Sequence, residues 1–253
     1  MTLAVHIDGP ASAPTLVFLH AIATSGELWR PQVEPLAQRF RVVRVDLPGH
    51  GASAPLPDGA TFADYADAVA DTLSAHGVER FSLIGMSFGA MVAMQVALRH
   101  AARVERLVLA CCAARTPPPV AAMWHERMAA VTQDGIETQI ETSLDRWFTP
   151  AFAAASPQTL DWVRAMIRGT PEEGFVAAAW IIATLDHSAL LPTLTMPCLV
   201  LAGAADKAAP EEMMRDFAAS IPAATFVALP AAHLANVEAP QAFTDAIERF
   251  VDE

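Results

Sequence analysis

Positive charge is scarce in this sequence. Lys and Arg total 16 against 28 Asp and Glu, a net charge of −12. That balance repels a phosphate backbone, and no basic, aromatic-interleaved stretch offsets it, so nucleic-acid binding is excluded. Long apolar runs are missing too. The opening residues Met1 to Asp8 lack a basic segment followed by an apolar stretch, which argues against a secretory signal. The longest apolar run, around Phe175 to Leu185, is too short to span a bilayer, so no membrane association is expected. Cysteine is rare: Cys111, Cys112 and Cys198 fall in or beside core-strand patterns, sequence neighbours seldom bridge, and the spacing suits no metal. They read as buried reduced thiols, and the expected compartment is cytoplasmic.

Apolar residues, in contrast, make up 53% of 253 residues, enough for one large core. The length fits one domain with an insertion better than two independent domains. Short Val-, Leu- and Ile-rich runs at Thr15–Leu19, Arg41–Val45, Phe81–Ile84, Arg106–Cys111, Pro197–Ala202 and Thr225–Leu229 show little alternation. That is the pattern of parallel strands covered on both faces. Helical patterns at roughly Gly26–Gln38, Thr61–His76, Phe88–His100 and Pro240–Val251 lie between or after them. The expectation is an α/β fold with a doubly wound, mostly parallel sheet. From Thr116 to Thr195 the text is dense in Ala, Met, Trp and Glu at helical spacing, cut by Pro150, Pro157 and Pro171. We read 116–195 as a helical cap inserted into a core formed by 1–115 and 196–253.

The chemistry is written in three places. Gly85-Met86-Ser87-Phe88-Gly89 sits between a strand and a helix. A G-x-S-x-G turn there is sharp and strained, lifts the serine hydroxyl above the sheet, and needs glycines where side chains would collide. Ser87 is the candidate nucleophile. A serine hydroxyl needs a base within reach, and His233, directly after the last predicted strand, is the candidate; the competing reading is a solvated loop histidine. Asp206 follows the strand PCLVLA and completes a Ser–Asp–His chain order; the competing reading is an ordinary turn aspartate. All three follow strand carboxyl ends, where open α/β sheets place ligands. The backbone N–H groups of Phe88 and Ile22 are the expected oxyanion donors. His20 and His50 read as structural, while Met86 and Phe88 suggest an apolar wall beside the nucleophile.

At these motifs the sequence resembles the α/β-hydrolase superfamily along nearly its whole length, and most of all the 3-oxoadipate enol-lactone hydrolases. Beyond the three motifs the likeness lies in residues 99–109, Trp124, Arg146-Trp147-Phe148-Thr149-Pro150-Ala151-Phe152, residues 169–175 and residues 231–238. Departures fall at His20-Ala21-Ile22-Ala23, at Asp46-Leu47-Pro48-Gly49-His50-Gly51 and at residues 174–180, all around the expected pocket. The resemblance implies Ser87, Asp206 and His233 in the roles just argued, with no metal or cofactor.

An enol-lactone substrate carries a carboxylate and calls for a cation, for which the insertion offers Arg127, Arg146, Arg164 and Arg168. Of its aromatics, Trp124 and Trp147 are expected beside Arg127 and Arg146 as substrate contacts, and the rest as packing. The expected partner is a small ester or lactone. The apolar insertion leaves a homodimer open, although no sequence feature specifies one. Alternatives are a general carboxylesterase or another lactonase, a carbon–carbon bond hydrolase of the same fold, and a non-catalytic ligand-binding protein. Serine at the turn, where haloalkane dehalogenases need aspartate, argues against that chemistry.

Overall fold

The continuous apolar runs form the interior of one sheet. The computed structural model describes residues 2–222 and 224–252. Its strands are β1 (Val5–Asp8), β2 (Thr15–Leu19), β3 (Arg41–Val45), β4 (Phe81–Met86), β5 (Val104–Ala110), β6 (Cys198–Gly203) and β7 (Ala224–Leu229). They lie in the order β1-β3-β2-β4-β5-β6-β7, with β1 antiparallel to β3 and all other pairs parallel. Every residue of β4 and β6 is buried, as central strands covered on both faces must be. The edge strands are less covered. β1 went unforeseen in the sequence because His6 and Asp8 interrupt its short, half-exposed run.

The helices flanking the first strands are α1 (Arg30–Leu36), α2 (Phe62–Ala75) and α3 (Phe88–Arg99). The single helix expected over Gly26–Gln38 is in fact a 3₁₀ turn at Gly26–Trp29 followed by α1, with Pro31 in its first turn. α2 begins with a capping box: the Asp64 carboxylate accepts from the Thr61 N–H at 2.7 Å while Thr61 Oγ1 accepts from the Asp64 N–H. α3 buries residues on every face, including Phe88, Ala90, Met91, Val92, Met94 and Val96, because it is packed against the sheet, α2 and the loops above them.

Between β5 and β6 the chain forms α4 (Pro118–Asp134), α5 (Ile140–Trp147), α6 (Pro150–Ala155), α7 (Pro157–Arg168) and α8 (Glu172–Ala183). α4 and α8 pack together, with Met128, Val131, Phe175 and Ala178 among their buried residues. Then come α9 (Glu211–Ala219), α10 (Ala235–Glu238) and α11 (Pro240–Asp252). α9, with only Met214, Phe217 and Ala218 buried, is too short and mixed for its sequence to mark it as a helix. No helix among the described residues is long and apolar enough to cross a membrane.

The connections place the site. From β2 the chain steps outward to β3, then returns across β2 to β4 and proceeds the other way to β7. The order reverses between β2 and β4, so their following loops diverge and leave a crevice at the carboxyl ends, where such sheets bind ligands.

Candidate active site

Ser87 occupies the turn from β4 to α3 with φ 52° and ψ −113°, a left-handed conformation that an L side chain adopts only under constraint. Such strain costs on the order of 1–3 kcal/mol and persists only where the surroundings hold it. Here they do. The Ser87 N–H donates to the Ala110 carbonyl at 2.8 Å, and the Ser87 carbonyl accepts from Ala90 and Met91 at 3.0 and 3.1 Å. The motif glycines have their expected reason: a Cβ on Gly85 would strike the backbone of Ala90, and one on Gly89 would strike the carbonyls of Leu19 and His20.

His233 lies in the turn between β7 and α10, and Asp206 in the turn after β6. His233 Nε2 is 2.8 Å from Ser87 Oγ, and His233 Nδ1 is 2.7 Å from Asp206 Oδ2. All three residues are buried. Asp206 Oδ1 also accepts from the Ala208 and Ala209 N–H groups, at 2.7 and 3.0 Å, so the carboxylate is held by its own turn. An ionised carboxylate only accepts, which assigns the proton to Nδ1 and leaves Nε2 to accept from the serine hydroxyl. The geometry thus makes Ser87 Oγ a hydroxyl with a base already aligned on it.

Ser87 and His233 open onto a cavity of about 310 Å³ between the strand ends and the helical insertion. Ile22 lines it beside Ser87, and neither the Ile22 nor the Phe88 N–H has an acceptor among the described residues. The Phe88 N–H stands at the start of α3, where the helix dipole favours negative charge. One expectation needs correction. Met86 and Phe88 do not wall the cavity; both are wholly buried beneath the turn. The apolar lining comes instead from Ile22, Met91, Val120, Met123, Ile182 and Met213.

The charged lining has one sign. Arg115, Arg127, Arg146 and Lys207 border the cavity, and no Asp or Glu among the described residues does, although the whole chain carries −12. Arg115 and Lys207 are exposed at the mouth; Arg127 and Arg146 lie deeper. Arg127 donates from Nε to Gln139 Oε1 at 2.6 Å and from Nη2 to Ser143 Oγ at 2.9 Å, and its guanidinium lies 4.5 Å from the Trp124 ring centroid. Every one of these partners is neutral. Burial, reinforced by the nearby Arg146 charge, lowers its pKa to about 10. Arg146 has a thioether neighbour, Met123 Sδ at 2.8 Å. Trp124 and Trp147 share the lining. Arg164 and Arg168 are elsewhere, bound at the surface to Glu141, Asp161 and Glu137. Gln139, Ser143, Met91, Arg115 and Lys207 were not singled out from sequence, since nothing in their spacing marks them.

Two buried histidines frame the site from behind. His20 Nε2 accepts from the Leu47 N–H at 2.9 Å, so its Nδ1 carries the proton toward the Ala21 carbonyl at 2.8 Å. This neutral ring ties the Ile22 loop to the loop after β3, and burial lowers its pKa. His50 packs 5.3 Å from the His20 ring and 6.0 Å from that of Phe88. Burial first, then His20, pulls its pKa down to about 3. Asp46 accepts from the Gly26 and Ala52 N–H groups at 2.7 and 2.9 Å and is part of the scaffold. Among the described residues no cluster of three His, Cys, Asp or Glu side chains is arranged to hold a metal.

Comparison with known proteins agrees with this architecture. The sequence pattern of the alpha/beta hydrolase fold matches residues 14–240. A hydrolase from Pseudomonas aeruginosa is similar at 37% identity and a TM-score of 0.94, over 99% of this chain and 94% of that one. The enol-lactonase from Burkholderia xenovorans is similar at 32% identity and a TM-score of 0.94, over 99% and 96%. The 3-oxoadipate enol-lactonase 1 of Acinetobacter baylyi is 29% identical over 250 residues, 99% of this chain and 93% of the relative. Fold, strand order and sequence pattern therefore converge: this chain belongs to the alpha/beta hydrolase fold family, with 3-oxoadipate enol-lactonases among its relatives.

Proposed function

We propose that this protein is a serine hydrolase that opens a small lactone or ester bearing a carboxylate, with 3-oxoadipate enol-lactone the best-matched substrate. The observation that carries the reading is a Ser87–His233–Asp206 hydrogen-bond chain opening into a cavity whose charged side chains, among the described residues, are all cationic. The lactonases among its relatives support the same choice.

In the first step Ser87 Oγ attacks the ring carbonyl as its proton passes to His233 Nε2. The Ile22 and Phe88 N–H groups receive the oxyanion; removing one such donor typically costs about 10²–10³ in rate. Asp206 keeps the imidazole in the required tautomer and stabilises its cation. Collapse of the tetrahedral species breaks the ring C–O bond, and the departing enol oxygen takes the proton back from His233. Water then attacks the acyl-enzyme, giving its proton to His233, and Ser87 leaves with that proton restored. Arg127 and Arg146 hold the substrate carboxylate throughout.

The test is ultraviolet-monitored hydrolysis of 3-oxoadipate enol-lactone beside a short neutral p-nitrophenyl ester, using wild type and Ser87→Ala. Lactone turnover far above ester turnover, and lost by several orders of magnitude in Ser87→Ala, is the expected result. Ester cleavage with negligible lactone turnover would keep the nucleophile and discard the lactone.

A further inference from the structure

His233 sits in a loop, Pro230 to Leu234, whose neighbouring side chains are Ala231 and Ala232 and offer little grip. A base on a loop must nevertheless be held within about 0.5 Å of its working position. Main-chain hydrogen bonds do this here, and the two that flank the histidine leave the loop. The Leu234 N–H donates to the Trp147 carbonyl at 3.1 Å. The Ala232 N–H donates to Glu238 Oε2 at 2.9 Å. The same Glu238 carboxylate accepts from the Thr149 N–H, 3.2 Å from Oε2, and from the Thr149 hydroxyl. One flanking bond therefore ends on Trp147, the last residue of α5, and the other reaches Thr149, two residues further on, through the Glu238 carboxylate. Arg146 and Trp147, at that same end, line the cavity.

We propose that Glu238 is a positioning residue that braces the His233 loop against the helical insertion, so that contacts made at Arg146 and Trp147 set the place of the base. The inference rests on His233 being the base of the reaction proposed above. The chemistry asks for a carboxylate: its two oxygens accept from the Ala232 N–H and from both Thr149 donors together. A glutamine has one accepting oxygen, and its NH₂ would face a donor. The brace contributes to kcat rather than to binding, because Glu238 does not line the cavity.

The experiment compares Glu238→Ala, Glu238→Gln and Glu238→Asp with Ser87→Ala on the better of the two substrates above, with a fluorophosphonate labelling rate for Ser87. A displacement of about 1 Å at a reacting group can cost roughly 10²-fold, so kcat should fall by about that in Glu238→Ala. Glu238→Gln should lose less and Glu238→Asp recover part of the loss, with KM changing less than about threefold. Labelling should slow in the same order, because it needs the same proton removal. Ile247→Ala, in the buried face of α11, is the stability control. The inference is overturned if folded Glu238→Ala keeps wild-type kcat, or if Ile247→Ala at equal loss of Tm loses as much kcat. Should Glu238→Ala not fold, Glu238→Gln decides by the same criteria. Full activity in Ser87→Ala would instead overturn the serine mechanism itself.

Discussion

Arg127 is the residue whose surroundings say most about the ligand. A mostly buried guanidinium held by an amide, a hydroxyl and aromatic faces keeps its full charge uncompensated. Desolvation makes that costly unless an anion arrives, and a second cation, Arg146, borders the same cavity. The sequence offers four arginines in the insertion as candidate cations, with Arg127 and Arg146 the expected substrate contacts. What separates them is three-dimensional: Arg164 and Arg168 meet acids from other turns and helices, whereas Arg127 meets none. The local signal was the Trp124–Arg127 spacing, which puts a ring and a guanidinium on one helical face. Gln139→Glu would supply the missing carboxylate from within the protein. Losing a charge-assisted hydrogen bond of about 1.5–3 kcal/mol should raise KM for the carboxylate-bearing lactone by roughly 10–100-fold. KM for the neutral ester should stay nearly constant. Equal changes for both substrates would show that Arg127 shapes the pocket without reading charge.

At the level of elements, the strands that position Ser87 and Asp206 are legible because burial on both faces writes them as unbroken apolar runs, FSLIGM and CLVLAG; β7, which leads to His233, is a half-covered edge strand legible only through its apolar TFVAL run. The elements that escaped have mixed texts. β1 is an edge strand with polar residues, α9 is a nine-residue amphipathic helix between two strands, and α1 is shortened by a 3₁₀ turn. A long-range contact equally invisible in sequence joins the insertion to the core: Gly174, in the first turn of α8, lies backbone to backbone against Gly49. A Cβ on Gly174 would overlap the Gly49 carbonyl, and the obstacle is main chain, not a side chain that can turn away. Gly174→Ala should therefore lower stability by about 1–3 kcal/mol, the usual cost of overpacking, measured as a fall in urea midpoint. An unchanged midpoint would mean that α8 rides freely on the loop after β3.

For the molecule as a whole, the buried histidines decide how it meets acid. His50 titrates near 3 because burial and then His20 oppose its charge, His187 near 4 because of burial, and His20 is lowered by burial as well. In the unfolded chain such groups titrate near 6.5. Between pH 6.5 and about 4 the unfolded state thus binds more protons at these histidines than the folded one, and their contribution to stability falls as pH falls through that window. Each proton of difference contributes a slope of about 1.4 kcal/mol per pH unit. A net charge of −12 works the other way, since acidification relieves self-repulsion, so the wild-type curve alone mixes two effects. A variant separates them. His50→Gln cannot titrate here and leaves the acidic surface untouched. Its stability, from urea melts at pH 7, 6 and 5, should decline less steeply with acid than wild type, by about half of one proton's slope between pH 7 and 6 and close to all of it between 6 and 5, whatever its stability at pH 7. Parallel curves would mean that His50 gains its proton in the folded state, and that the tilted rings of His20 and Phe88 around it tolerate a cation.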